Sequence, residues 1–338
     1  MKISMKLRHI IIIMFALLAE YAFSADLPTT ATISSRRAFR IGFIPSGEEP
    51  ASTPGWFDGL KGYLLENSDV VESMGKEGYS DIVILPADGH RDMLQRLDVG
   101  EFDMAFCSSV IFVIQRGDYV PMLQFRGDIY DPRGHGMTLQ KGVIFAGPAS
   151  PLFKDENPSD ADIRNALLSA PFAFVSAYNS TGYICPRLLL WRKFDIRQPG
   201  EIIFCGSPDE VVKYVVSGLA DAGACDAVAL QSVLGNLPEY VMRDNLVRTI
   251  METAPVPTNP VVVRAALNPR RSHLGRVLKS SLKTYYNSSG APGSSRLADG
   301  REENFRVLKE EIAAFEKLIE TDSLPRLRLM PPPPGTFY

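Results

Sequence analysis

Short, almost continuously apolar runs recur along this chain, each closed by turn-forming residues and each followed by a stretch of helical spacing. Runs without polar alternation are buried on both faces, which indicates mainly parallel sheets with helices on both faces, an α/β class. The strand runs are Phe39–Pro45, Asp81–Leu85 and Phe102–Phe106, then Gly142–Ala146, Phe172–Ser176, Ile202–Cys205, Ala222–Cys225 and Val261–Val263. Helical spacing fills Trp56–Glu66, His90–Val99, Val110–Gln115, Ala161–Leu168, the stretch around Leu188–Trp191, Pro208–Ser217 and Glu302–Leu318. Such a pattern, given twice, predicts two lobes: 38–140 with 255–320, and 141–254. Two crossings join them, the second through Ala254-Pro255-Val256-Pro257-Thr258-Asn259-Pro260, so a hinge is expected near 138–142 and 250–258.

The first residues read as an export leader. Lys2, Lys6, Arg8 and His9 precede the uncharged run Ile10–Ala19, and Ala22-Phe23-Ser24 places small residues where a signal peptidase reads. A signal peptide over 1–24, cleaved after Ser24 or Ala25, is expected, with a periplasmic mature protein. The rival is an uncleaved anchor, but about ten apolar residues fall short of the roughly 20 that a spanning helix needs. Residues 321–338 are expected to form an extended tail around Pro331–Pro334.

Composition narrows the partners. A net charge of −3 over 338 residues argues against nucleic acid, which demands a concentrated positive face. A small anion needs only a local site. Cys107, Cys185, Cys205 and Cys225 match no paired metal-binding spacing, so neither a metal nor a cofactor is expected. They stand as buried free thiols or as one bridge and two thiols.

In a two-lobed α/β chain, ligands bind outside the carboxyl ends of strands and between domains. The loops at those ends are Pro45-Ser46-Gly47, Pro86–His90, Cys107-Ser108-Ser109, Ala177–Gly182, Gly206-Ser207 and Asp226. The richest is Asn179-Ser180-Thr181-Gly182, between a buried strand and a helix. Its side chains suit an N-cap, and the same amides suit an anion. Gly182 is expected to let a ligand approach the backbone. Pro186 lacks an N–H, so the helix must begin late, leaving a turn of converging amides before it. Ser108 and Ser109, and Ser207 before Pro208, give two more hydroxyl-bearing junctions. Asp226 and Asp88 either meet a ligand's amine or cap loops; capping is the expectation.

From Phe39 to about Leu318 the chain resembles the substrate-binding proteins of phosphonate, phosphite and phosphate ABC transporters. The family's F-x-S-x-S-T-S-G-Y-x-x-P-R pattern is matched by Phe174-Val175-Ser176, Asn179-Ser180-Thr181-Gly182-Tyr183 and Pro186-Arg187. Gly206-Ser207-Pro208-Asp209, Val216 to Ala224 and Pro255 to Pro260 resemble its later landmarks. The resemblance implies a two-lobed type II periplasmic-binding fold, a small oxyanion ligand, and delivery to a membrane permease by a protein expected to be monomeric. It implies ligand contacts from Asn179, Ser180, Thr181 and Ser207. Asn179 stands where Ser is usual, Pro208 replaces a His, and His90 lies where a cleft Tyr is common. A protonated His90 is expected to favour a doubly charged oxyanion.

Two other outputs fit the same chain. A binding-protein fold also serves as the input module of a membrane sensor kinase. A hydrolase with Ser180 as nucleophile needs a base and an orienting acid; with four His in all, His9 in the leader and no G-x-S-x-G, a non-enzymatic role is expected.

Overall fold

The computed structural model describes residues 37–45, 55–127, 129, 136–154, 158–236, 246–287 and 297–321. The expected leader, the loop Ser46-Gly47 and nearly all of the Pro-rich tail lie outside them. The chain runs β1 (Arg37–Phe43), α1 (Gly55–Glu66), α2 (Ser68–Lys76), β2 (Tyr79–Pro86), α3 (His90–Asp98), β3 (Met104–Phe106), α4 (Ser109–Ile114), β4 (Tyr119–Phe125) and β5 (Leu139–Gln140). Next come β6 (Gly142–Ala146), α5 (Pro151–Lys154), α6 (Asp160–Ser169), β7 (Pro171–Phe174), a π-helical turn (Ser180–Ile184), α7 (Cys185–Phe194), β8 (Glu201–Phe204) and α8 (Pro208–Val216). It continues with β9 (Ala222–Asp226), α9 (Ala227–Gly235), β10 (Arg248–Glu252), β11 (Val256–Pro257), β12 (Pro260–Arg264), α10 (His273–Asn287), β13 (Leu297–Asp299) and α11 (Arg306–Thr321).

Two larger sheets result, six strands ordered β13-β4-β12-β3-β1-β2 and five ordered β10-β6-β9-β7-β8. They are mixed rather than mainly parallel, and the reason is topological. Strands joined by a helical crossover keep one direction, so β2 and β3 run parallel to β1, and β8 and β9 parallel to β7. A strand that enters from the other sheet arrives at the opposite end. Thus β6 runs antiparallel to β9, and β12 antiparallel to both β3 and β4. The apolar runs were a correct sign of burial on both faces, but burial does not carry direction.

Strand β4 escapes a sequence reading because Pro121 interrupts it. The register shifts there, pairing Val262 with Pro121 and Val261 with Leu123, so the proline sits at a bulge where a missing N–H is tolerated. Helix α10 escapes because its solvent face is polar; it nonetheless buries Leu274, Leu278 and Leu282 completely.

Three apolar clusters hold the fold. One lies outside the first sheet (Phe39, Ile41, Leu60, Leu274) and one outside the second (Val143, Phe145, Val211, Val215). The largest is shared, with Phe102, Ile111 and Phe112 from the first, Phe172, Phe174 and Tyr183 from the second, and Phe305, Leu308 and Phe315 from the C-terminal segment. Helix α11 reaches both sides: Phe305, just before it, meets Phe112 edge-on at 4.7 Å, and Phe315 meets Tyr183 at 5.4 Å. Glu311 adds an ion pair to Arg192 at 2.8 Å. The crossings between the sheets pair with one another, β5 with β11, in antiparallel register. Gln124 Nε2 donates to the carbonyls of Thr138 and Thr258, fastening both crossings to β4. All four cysteines are free thiols. Among the described residues no helix is long and apolar enough to cross a membrane.

Candidate functional site

The junction after β7 folds as its proline demands. Pro186 is the second residue of α7, so the regular helix starts at Cys185 and a wider turn precedes it. In that turn the N–H of Ile184 reaches the carbonyl of Asn179, and the N–H of Cys185 that of Ser180. Asn179 is the cap: its Oδ1 accepts the Gly182 N–H at 2.6 Å and the Thr181 hydroxyl at 3.2 Å. The first amides of the turn, those of Ser180 and Thr181, have no acceptor within it. Ser180 and Thr181 are buried.

Gly182 has a packing requirement of its own: a Cβ there would lie 2.5 Å from Val175 Cγ2, in the residue that follows β7. Behind the turn, a Cβ on Gly142 would meet the Thr181 carbonyl oxygen at 2.3 Å, so β6 passes directly against it.

The first sheet presents the facing wall. Ser108 caps α4 by accepting the Ile111 N–H at 3.2 Å. The Ser109 N–H donates to Asn259 Oδ1 at 3.1 Å, and its fully buried hydroxyl lies 3.3 Å from the hydroxyl of Ser180. A second bridge between the sheets lies at the ends of β2 and β7. Gly89, at φ 125, adopts a backbone that side chains avoid and so sets His90 at the start of α3. The imidazole stacks parallel to Tyr178, with ring centroids 5.6 Å apart and 6° between planes.

Desolvation lowers the His90 pKa to about 4. The ring is therefore neutral near pH 7, so the protonated form that would favour a doubly charged ligand is not the prevailing one there. Burial raises the pKa of Tyr178, with the charge of Arg91 acting against that rise. Arg91 is thus a cation near the junction that the sequence reading passed over.

The remaining candidates sit at helix starts. Ser207 caps α8 by accepting the Glu210 N–H at 3.2 Å, with Pro208 opening the helix. Asp226 caps α9 through Oδ1, which accepts the N–H groups of Val228 and Ala229. Asp88 is exposed, and its N–H bonds Asp92. Arg187 is buried beneath the turn, donating to the Tyr183 hydroxyl at 3.3 Å and to the Arg197 carbonyl. Ser176, Tyr178, Arg91 and Asn259 were not chosen from sequence as site residues. Ser176 had a signal in the matched pattern; its hydroxyl is buried without a hydrogen-bond partner in the structure. The other three meet their neighbours only through the fold. The arrangement as a whole offers hydroxyls and amides converging between two sheets, the chemistry that holds an oxyanion through dipoles.

A family model described as the periplasmic substrate-binding protein of phosphonate ABC transporters matches residues 65–294, over half of the chain. The chain belongs to that family. Its members are periplasmic and work with an ABC permease. No curated protein matches the chain by sequence. Solved structures agree on the fold. PhnD1 from Prochlorococcus marinus, in complex with methylphosphonate, is 16% identical with a TM-score of 0.60, over 83% of this chain and 99% of that one. XAC2383 from Xanthomonas citri, bound to chloride ion, is 21% identical with a TM-score of 0.61, over 84% and 99%. A phosphonate-transporter binding component from Pseudomonas aeruginosa is 12% identical with a TM-score of 0.57, over 86% and 90%. The family member thus has a two-lobed type II periplasmic-binding fold.

Proposed function

We propose that this protein captures a small phosphonate- or phosphate-like oxyanion in the cleft between its lobes and delivers it to an ABC permease, without catalysing a reaction. The lobes are 38–140 with 255–320, and 141–254, and the hinge is the paired β5 and β11. One observation carries the reading. The buried hydroxyls of Ser109 and Ser180, from opposite sheets, meet at 3.3 Å at the mouth of the Asn179 turn. A tetrahedral oxyanion entering there replaces a hydroxyl–hydroxyl contact with stronger hydrogen bonds to its charged oxygens. That Ser180 faces a hydroxyl rather than an imidazole or carboxylate supports binding over hydrolysis. The methylphosphonate in the Prochlorococcus protein supports the ligand class.

Ligand contacts are assigned to Asn179, Ser180, Thr181, Ser109 and Ser176, with His90 and Tyr178 at the rim; Ser108, Ser207 and Gly182 shape the walls. The leader is removed on export, and the mature chain is a monomer. Titration calorimetry with phosphate, phosphite and methylphosphonate tests the reading: binding to at least one is expected, and loss of it in Ser180→Ala. No heat and no thermal shift with any of them overturns it. N-terminal sequencing of the exported protein, expected to begin at Ala25 or Asp26, and light scattering check the last two points.

A further inference from the structure

The second crossing between the sheets brings a side chain to the wall of the first. β12 runs antiparallel to β3, with Val261 opposite Phe106, and the Cys107 N–H donates to the Pro260 carbonyl. Asn259, the residue before β12, therefore arrives at the end of β3, where Ser108 and Ser109 stand. Its backbone carbonyl is spent inside the sheet, accepting the Phe125 N–H. Asn259 is exposed, although Thr258 and Pro260 on either side of it are buried.

The carboxamide of Asn259 has a fixed sense. An amide N–H needs an acceptor, so the atom 3.1 Å from the Ser109 nitrogen is Oδ1, and Nδ2 carries its two N–H groups elsewhere. Among the described residues those N–H groups have no acceptor. Ser109 is also the residue whose hydroxyl lies 3.3 Å from that of Ser180 in the other sheet. Asn179 repeats the arrangement from the opposite side. Its Oδ1 is taken by the Gly182 N–H and the Thr181 hydroxyl, and its Nδ2 likewise has no acceptor among the described residues. Two carboxamides with their oxygens engaged thus leave only donors beside the paired serines. Donors alone match a fully ionised tetrahedral oxyanion, which only accepts.

Resting on the oxyanion reading above, we propose that Asn259 is a ligand-binding residue whose Nδ2 donates to the oxyanion held by Ser109 and Ser180. The Ser109 amide, spent on Oδ1, is replaced at the ligand by the donors of the side chain that it fastens. The crossing between the sheets then touches the ligand directly.

Calorimetry on the full chain with methylphosphonate and with phosphate tests this in the native protein, Asn259→Asp and Asn259→Ala. Asn259→Asp keeps an acceptor for the Ser109 N–H and removes both donors; Asn259→Ala removes acceptor and donors together. Loss of a hydrogen bond to a charged group is expected to weaken binding at least about 10-fold in each variant. In Asn259→Asp the weakening should persist in about 0.5 M salt, where repulsion between separated charges is largely screened. If Asn259 only holds Ser109 in place, Asn259→Ala weakens binding while Asn259→Asp in that salt stays within about 3-fold of native, and the proposal falls. A further measurement needs no variant to fold. In the native protein the side-chain amide resonance of Asn259 is expected to shift when methylphosphonate is added. A resonance unmoved at saturation overturns the contact and leaves the oxyanion site standing. Silence of the native protein toward every tetrahedral oxyanion overturns the oxyanion reading, and the Asn259 contact with it.

Discussion

The junctions after β3 and after β7 use the same residue chemistry and build different objects. At the first, Ser108 caps a helix that starts immediately, and the amide of Ser109 is claimed by Asn259. At the second, Pro186 delays α7, and Asn179 organises a π-helical turn whose leading amides have no acceptor inside it. One is a finished cap; the other is a cradle. Hydroxyl content does not separate them. What does is the position of a residue without an N–H, seven places after Asn179, together with the strand behind it. β6 lies so close to Thr181 that only glycine fits at 142, and this fixes the cradle from the rear.

That difference is open to attack. Gly142→Ala drives a Cβ into a backbone carbonyl, which cannot swing aside, and is expected to cost about 3 kcal/mol, the upper end for overpacking. Urea unfolding measures it, and a loss below about 1 kcal/mol would mean that β6 does not brace the turn. Asn179→Ala removes a cap that serves both an amide and a hydroxyl, so about 1–2 kcal/mol should go, along with oxyanion binding. Ser108→Ala is expected to cost about 1 kcal/mol, as a simple cap; parity with Asn179→Ala would erase the distinction between the two junctions.

A double-mutant cycle on Ser109→Ala and Ser180→Ala should return a coupling of about 0.5–1 kcal/mol, since the hydroxyls touch. Zero coupling would show that the walls do not meet in solution. The smallest effect is a pH dependence. The His90 pKa falls from 6.5 to about 4 on folding, so between those values the unfolded chain binds a proton that the native protein refuses. Stability therefore declines as pH drops through that window, by under about 1 kcal/mol per unit once screening at a half-buried ring is allowed for. His90→Gln should flatten unfolding curves across the window. An unchanged slope would place the imidazole in water rather than against Tyr178.

Much of this was legible in the residues. The apolar runs marked β1, β2, β3 and β6 to β9, because double-sided burial leaves a signature in composition. Pro186 foretold the delayed helix, and Asn179 the cap of the turn before it. Strand direction was not legible, since β6 and β12 are inverted by where they enter and not by what they contain. Nor were the walls' partners. Ser109 meets Ser180 and Asn259 across separations of 71 and 150 residues, and no local pattern encodes such contacts. The desolvation of His90 likewise comes from burial that no local pattern encodes. Nor was the packing of Gly182 against Val175, which claims a glycine there in its own right.

The return of β12 into the first sheet has a consequence in time. Strand β3 finds its second neighbour, and β4 its first two, only when residues 260–264 and 297–299 have arrived. By then every strand of the second sheet has already emerged. The first sheet is therefore begun early and completed last, with β3 and β4 carrying open edges throughout. Pairings of such sequence separation are slow to close, and open edges recruit other chains. The nascent protein spends its most vulnerable interval with one half assembled and the other waiting for its final strands.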